Sequence, residues 1–283
     1  MTISGVLTAM VTPFDANGDL NEEAAVRLMH HLLEHGSDGL VLAGSTGESV
    51  TLSDEEMMRL WELGVAECGE ATVIAGTGSN DTRHAVHLTE RATEAGVAAV
   101  LVVAPYYNKP NQRGLKEHYR AVAAATDRPV IVYNIPSRSV IDMSNEFMAE
   151  LAAEIPNVKA VKQARFEDIA PIEGLDLLAG NDDKLAETLD AGGTGGILVA
   201  SHLVGGEMRR MIDEPQSRAE IHESLGDLFK ALTVTTGPIP IKAALNMVGL
   251  EVGGLRLPLV EASDDEKVVV REALERHGLL AKV

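Results

Sequence analysis

Residues 129–162 read PVIVYNIPSRSVIDMSNEFMAELAAEIPNVKAVK. Two short apolar runs, Pro129–Tyr133 and Val158–Lys162, flank an amphipathic stretch, Ser144–Glu154. Runs of Val, Ile and Ala without polar alternation suit strands covered on both faces, and helical periodicity between them makes a strand–helix–strand unit. Such a unit joins parallel strands.

The same rhythm extends in both directions. Further strands are expected at Gly5–Val11, Gly39–Ala43, Thr72–Ala75, Ala98–Val103, Leu175–Ala179 and Gly196–Ala200, with helices at Asn21–His35, Asp54–Cys68, Thr82–Ala95 and Arg113–Thr126. Ser53 followed by Asp54-Glu55-Glu56 reads as a capping box with an acidic first turn, and Gly36 and Gly96 follow helix ends. Eight units with short links leave a closed barrel or an open doubly wound sheet, and the count favours a (β/α)8 TIM barrel. Beyond about residue 214 the strand pattern stops. Residues 215–283 read as a helical extension packed on a catalytic barrel of residues 1–214, interrupted at Gly237-Pro238 and at Gly253–Pro258.

Composition narrows the function. The chain has 43 acidic against 24 basic residues, a net charge of −19, and no basic cluster, which disfavours nucleic acid and anionic membranes. Aromatic residues make up only 3%, so the core of a chain that is 45% hydrophobic must be aliphatic. Neither a signal peptide nor a membrane span is legible, and a cytoplasmic protein is expected. Cys68 is the sole cysteine and reads as structural.

In a barrel the chemistry sits at the C-terminal ends of the strands. Of nine lysines only Lys162 closes an expected strand, while Lys159 faces the other way along it. A desolvated lysine there loses its proton easily and becomes a nucleophile towards a ketone. Position alone equally allows a structural lysine paired with a carboxylate. Tyr133 closes the preceding strand, and Tyr106 and Tyr107 follow the fourth, so three of four tyrosines cluster at the mouth. They can exchange protons, or simply pack around the rim. Gly44-Ser45-Thr46-Gly47-Glu48-Ser49 exposes backbone N–H groups and hydroxyls suited to a small carboxylate, and lacks the Gly-Lys-Ser/Thr ending of a phosphate loop. Gly192-Gly193-Thr194-Gly195-Gly196 reads as a turn. Arg138, past the fifth strand, could grip a carboxylate or lie solvated. His31-Leu32-Leu33-Glu34-His35 has an inverted zinc-peptidase spacing, but lies on an outer helix and is set aside; no metal is expected.

Taken in order, Gly44-Ser45-Thr46-Gly47-Glu48, Pro105-Tyr106-Tyr107, Tyr133-Asn134-Ile135-Pro136, the strand ending in Lys162, Gly180-Asn181-Asp182-Asp183 and Pro238-Ile239-Pro240-Ile241-Lys242 resemble the dihydrodipicolinate synthase / N-acetylneuraminate lyase family. The resemblance runs from about Gly5 to Pro258, and Ser137-Arg138 with Gly254-Leu255-Arg256-Leu257-Pro258 looks like its synthase branch. It implies a pyruvate-dependent lyase without a cofactor. Lys162 would bind pyruvate as an imine, Tyr133 would relay protons, and Ser45 would link Tyr133 to Tyr107 reaching in from a neighbouring subunit. Thr46 and Ile197 would contact pyruvate, Gly180 is a further substrate-binding position, and Arg138 would hold the carboxylate of a small aldehyde. For that branch the aldehyde is aspartate 4-semialdehyde, the product 4-hydroxy-tetrahydrodipicolinate in lysine and diaminopimelate biosynthesis, and the assembly a homotetramer, a dimer of dimers. Cleavage of another 2-oxo acid by the same chemistry, or an inactive barrel that binds a small acid, are the other readings.

Three departures from the family pattern stand out. Ser45 replaces a threonine, keeping the hydroxyl and losing a methyl that restrains its rotamer. Gln163-Ala164-Arg165-Phe166 replaces an acidic residue followed by small ones, and is expected to add bulk and positive charge beside the mouth. Asp54, Met57 and His84 stand where lysine-inhibited members carry histidines and a glutamate, although Ser49, Asn80 and Tyr106 match. Weak or absent inhibition by lysine follows.

Overall fold

The computed structural model describes residues 2–280; Met1 and residues 281–283 of the expected extension lie outside the described residues. Eight strands close into a barrel in sequence order: β1 (Gly5–Ala9), β2 (Gly39–Leu42), β3 (Thr72–Gly76), β4 (Ala99–Val103), β5 (Val130–Asn134), β6 (Val158–Gln163), β7 (Asp176–Ala179) and β8 (Gly195–Leu198). Every neighbour is parallel, and β8 returns to β1 with Leu7 opposite Ile197. The expected strands therefore stand, shifted by a residue or two at their ends. One correction falls on the glycine run: Gly192 turns with φ +91°, but Gly195 and Gly196 already belong to β8.

Between the strands lie α1 (Glu22–Glu34), α2 (Asp54–Glu67), α3 (Thr82–Ala95), α4 (Gln112–Ala124), α5 (Pro136–Ser139), α6 (Asn145–Glu154), α7 (Leu185–Asp190) and α8 (Ser201–Asp213). The capping box at Ser53 forms in both directions: Ser53 N donates to Glu56 Oε2 at 2.8 Å and Glu56 N to Ser53 Oγ at 3.2 Å. Gly36, at φ +106°, allows α1 to approach α8, since a Cβ there would lie 2.6 Å from the Gly205 carbonyl carbon.

Two apolar layers result. Leu7, Val41, Ile74, Leu101, Ile131, Leu178 and Ile197 fill the barrel, and a larger cluster lies between the strands and the helices. Aliphatic branching does this work, in keeping with the few aromatics. Where β5 meets β6 the register slips: Val130 faces Val158 but Ile131 faces Ala160, so Lys159 is skipped and left exposed. The slip is a bulge, and after it Tyr133 and Lys162 stand side by side at the strands' C-terminal ends.

Three further helices follow, α9 (Arg218–Ala231), α10 (Ile239–Met247) and α11 (Asp264–Arg276). α9 packs on α8, α11 and the turn at Asp182–Lys184, which brings it over the mouth; α10 packs on α8 and α11.

Candidate active site

The barrel's C-terminal end opens into a cavity of about 540 Å³. Lys162, Tyr133, Ser45, Thr46, Arg138 and Gly180 all line it, brought together from positions 45 to 180 by strand order alone. Residues of α9, among them His222 and Phe229, form its outer wall. Ile197 is fully buried among the barrel's interior side chains and is not part of the lining.

Lys162 is only 5% exposed, and its Nζ lies 4.3 Å from the centre of the Tyr133 ring. Burial lowers its pKa to about 7, with the nearby Arg138 adding to the effect and Asp182 opposing it. Much of the amine is thus neutral at neutral pH. Burial raises the Tyr133 phenol to about 12, against a smaller opposing pull from Arg138, so this hydroxyl is protonated and able to donate.

Asp182, whose role the sequence reading missed, is the carboxylate closest in influence to the amine. Its Oδ1 accepts from Val199 N at 2.9 Å and Ala200 N at 3.0 Å, tying the β7 loop to the end of β8. Burial nonetheless raises its pKa to about 6, offset by those two N–H groups and by Lys162. An acidic side chain just after a strand end was the available signal.

Ser45 and Thr46 sit on a loop of unusual backbone. Ala43 and Glu48 are left-handed, with φ of 53° and 57°. The loop is held by Ser49 N donating to Gly44 O at 3.2 Å, Glu48 N to Ser45 O at 3.2 Å, and Thr12 Oγ1 to Gly47 O at 2.6 Å. Arg138 is exposed on the single-turn α5; its Nη2 donates to Gly237 O at 2.9 Å, which leaves other N–H groups for a ligand carboxylate.

Behind the reacting pair, the next residue of each strand joins a polar cluster. Asn134 Nδ2 donates to Gln163 Oε1 at 3.0 Å and to Asp142 Oδ1 at 3.0 Å, while Met143 N donates to Asn134 Oδ1 at 3.1 Å. Arg165 Nε donates to the same Asp142 oxygen at 2.7 Å, and its Nη2 to Met143 O at 2.8 Å. The expected positive charge beside the mouth is therefore corrected: Arg165 points away from the cavity and is matched by Asp142. Phe166 does reach the rim, lining the cavity while 60% exposed.

Tyr107 does not join the others within the chain. It is 88% exposed, stands at φ +74°, and lies outside the cavity lining. Tyr106 lines an adjoining groove of about 500 Å³ with Ser49, Met57 and His84. His84 Nε2 lies 2.9 Å from Asp54 Oδ1 there.

Cys68 is buried, and burial raises its thiol to about 11, which suits a structural role. The rings of His31 and His35 stack at 4.0 Å at the end of α1. Among the described residues no group of three His, Cys, Asp or Glu side chains is placed to hold a metal, and no helix is long and apolar enough to cross a membrane.

A neutral amine, a protonated phenol and a loop of hydroxyls in one cavity are the parts needed to build and break an imine. Known proteins carry the same fold and a similar sequence. The chain is 46% identical over 288 residues to the 4-hydroxy-tetrahydrodipicolinate synthase of Desulforudis audaxviator, covering 97% of this chain and 98% of the relative. It is 44% identical over 281 residues to the enzyme of that name from Bacillus subtilis, covering 95% and 97%. Among solved structures, the lysine-bound dihydrodipicolinate synthase of Cyanidioschyzon merolae superposes with a TM-score of 0.95 at 39% identity, covering 98% of this chain and 99% of that one. Residues 2–277 match the model of the Dihydrodipicolinate synthetase family, a span that takes in both the barrel and the helices after it, and the chain belongs to that family.

Proposed function

We propose that the protein condenses pyruvate with aspartate 4-semialdehyde to 4-hydroxy-tetrahydrodipicolinate, in lysine and diaminopimelate biosynthesis, through an imine on Lys162. The observation that carries this reading is the lysine itself: 5% exposed, shifted to about 7, and set against Tyr133.

The neutral Nζ attacks the keto carbon of pyruvate, and the resulting carbinolamine loses water. Tyr133, whose phenol holds its proton, supplies it to the departing hydroxyl. Loss of a methyl proton gives an enamine, whose carbon adds to the aldehyde. The amine of the second substrate then attacks the imine carbon, closes the ring and releases Lys162 as free amine. One water leaves overall.

Thr46 is assigned to the pyruvate carboxylate, Gly180 to the wall of its pocket, and Arg138 to the carboxylate of the semialdehyde. Ser45 passes protons between Tyr133 and Tyr107. An 88% exposed tyrosine on a strained backbone has no work to do within its own chain, which supports Tyr107 acting across an interface in a homotetramer.

Borohydride treatment with pyruvate, read by intact mass and peptide mapping, tests the core of the proposal. A reduced pyruvyl adduct on Lys162 is expected. Its absence from folded protein, or its formation on another lysine, overturns the imine assignment. Arg138→Ala should weaken use of the aldehyde about tenfold or more while leaving pyruvate trapping intact.

A further inference from the structure

Lys242 is buried more deeply than Lys162, at 1% exposure, yet lies on α10, far along the chain from the catalytic loops. Its Nζ is 2.7 Å from Glu48 Oε1, donates to Gly254 O at 2.6 Å, and sits 4.2 Å from the centre of the Phe14 ring. A carboxylate, a carbonyl and a ring face thus surround the buried ammonium. Burial lowers the pKa of Lys242, and Glu48 pulls the other way.

Glu48 is itself 2% exposed, and its second oxygen accepts from Arg256 N at 3.0 Å. The Arg256 side chain extends the joint. It donates to Gly18 O at 2.8 Å, Thr51 O at 2.9 Å and Glu56 Oε2 at 2.7 Å, and its guanidinium carbon lies 4.3 Å from the Phe14 ring centre. The segment after α10 is thereby locked to the loop after β2.

We infer that the Glu48–Lys242 ion pair is a positioning device for the catalytic loop, holding Ser45 and Thr46 in place from the helical extension. A buried ion pair is a poor way to gain stability, because apolar residues of equal volume do as well or better. What it does provide here is direction. Glu48 is one of the loop's two left-handed residues, in a conformation that side chains with a Cβ rarely adopt. Its N–H donates to Ser45 O, so fixing the Glu48 carboxylate fixes the backbone turn on which the Ser45 and Thr46 hydroxyls are mounted. Both partners act through the loop and neither lines the active-site cavity.

The inference rests on the roles proposed above for Ser45 and Thr46, and the test separates the two. Full-length Glu48→Gln, Lys242→Met and the double variant are compared with the parent by steady-state kinetics across pH, borohydride trapping and thermal unfolding. The double variant, uncharged and close to isosteric, is expected to fold with a melting temperature within a few degrees of the parent. Its kcat should fall about 10- to 100-fold and its KM for pyruvate should rise, because small misplacements of reacting groups are costly. Lys162 should still trap pyruvate in it. Lys242→Met alone leaves a buried carboxylate without its cation; its kcat should fall further than that of the double variant, in which that carboxylate is gone. A folded double variant with parental kcat and KM overturns the inference. If the double variant does not fold, Glu48→Gln alone decides by the same two constants. Failure of the parent itself to trap pyruvate on Lys162 overturns the proposed function instead, and the loop's assigned role with it.

Discussion

Lys162 and Asp182 influence each other across the cavity, and the sign of that influence can be measured. Burial drives the amine towards neutrality, down to about 7, and the carboxylate resists it by favouring the ammonium. The rate of imine formation with pyruvate should therefore climb with pH and reach half its plateau near 7, since only the free amine attacks. In Asp182→Asn the carboxylate's attraction is gone, the lysine loses its proton more readily, and the midpoint should move to lower pH. A midpoint that stays put or rises would show that Asp182 acts only through its bonds to Val199 and Ala200. Trapping rates at several pH values, read by intact mass, supply the comparison.

Elements position these residues as pairs. The ends of β5 and β6 carry Tyr133 and Lys162 towards the cavity and Asn134 and Gln163 away from it. Asn134 is fully buried and bonds to Gln163, Asp142 and the Met143 backbone, so it sets the spacing of the two strand ends. Asn134→Ala leaves several buried polar groups without a partner, and each such loss costs about 1–3 kcal/mol. Denaturant unfolding should show a loss of at least that size, with a fall in kcat that exceeds any change in the KM for pyruvate. His84, which lines the groove between α2 and α3, lies 2.9 Å from Asp54 Oδ1, so a ligand ammonium entering there meets an imidazole already engaged with a carboxylate. Free lysine is accordingly expected to inhibit weakly or not at all. Titration of the condensation rate with lysine, alongside a strongly inhibited relative, checks this, and equal inhibition would refute it.

At the scale of the whole molecule, the single chain holds most of a site. Six of the proposed roles fall to residues lining one cavity, and Tyr107 stands outside it. If Tyr107 serves the neighbour's cavity, a Tyr107→Phe variant and a Lys162→Met variant should each be nearly inactive, yet mixed subunits should regain activity. The hybrid has one site with both groups intact when the tyrosine acts across the interface. It has none when the tyrosine acts within its own chain, so a mixture that stays inactive after subunit exchange would place Tyr107 with its own Lys162.

The barrel and its central lysine were legible in the sequence because both depend on local order. Aliphatic runs recur eight times, and the chain-order closure of a parallel barrel puts each strand's last residues at one mouth. Strand ends alone made Lys162 and Tyr133 candidates, and the shared motifs named the family. What depended on distant contacts stayed hidden. Arg165 read as charge beside the mouth until Asp142 was seen to hold it, while Asp182 and Lys242 were each one residue of a motif. Tertiary structure decided these because burial and pairing, which set a side chain's charge and direction, depend on residues that sequence separation does not reveal.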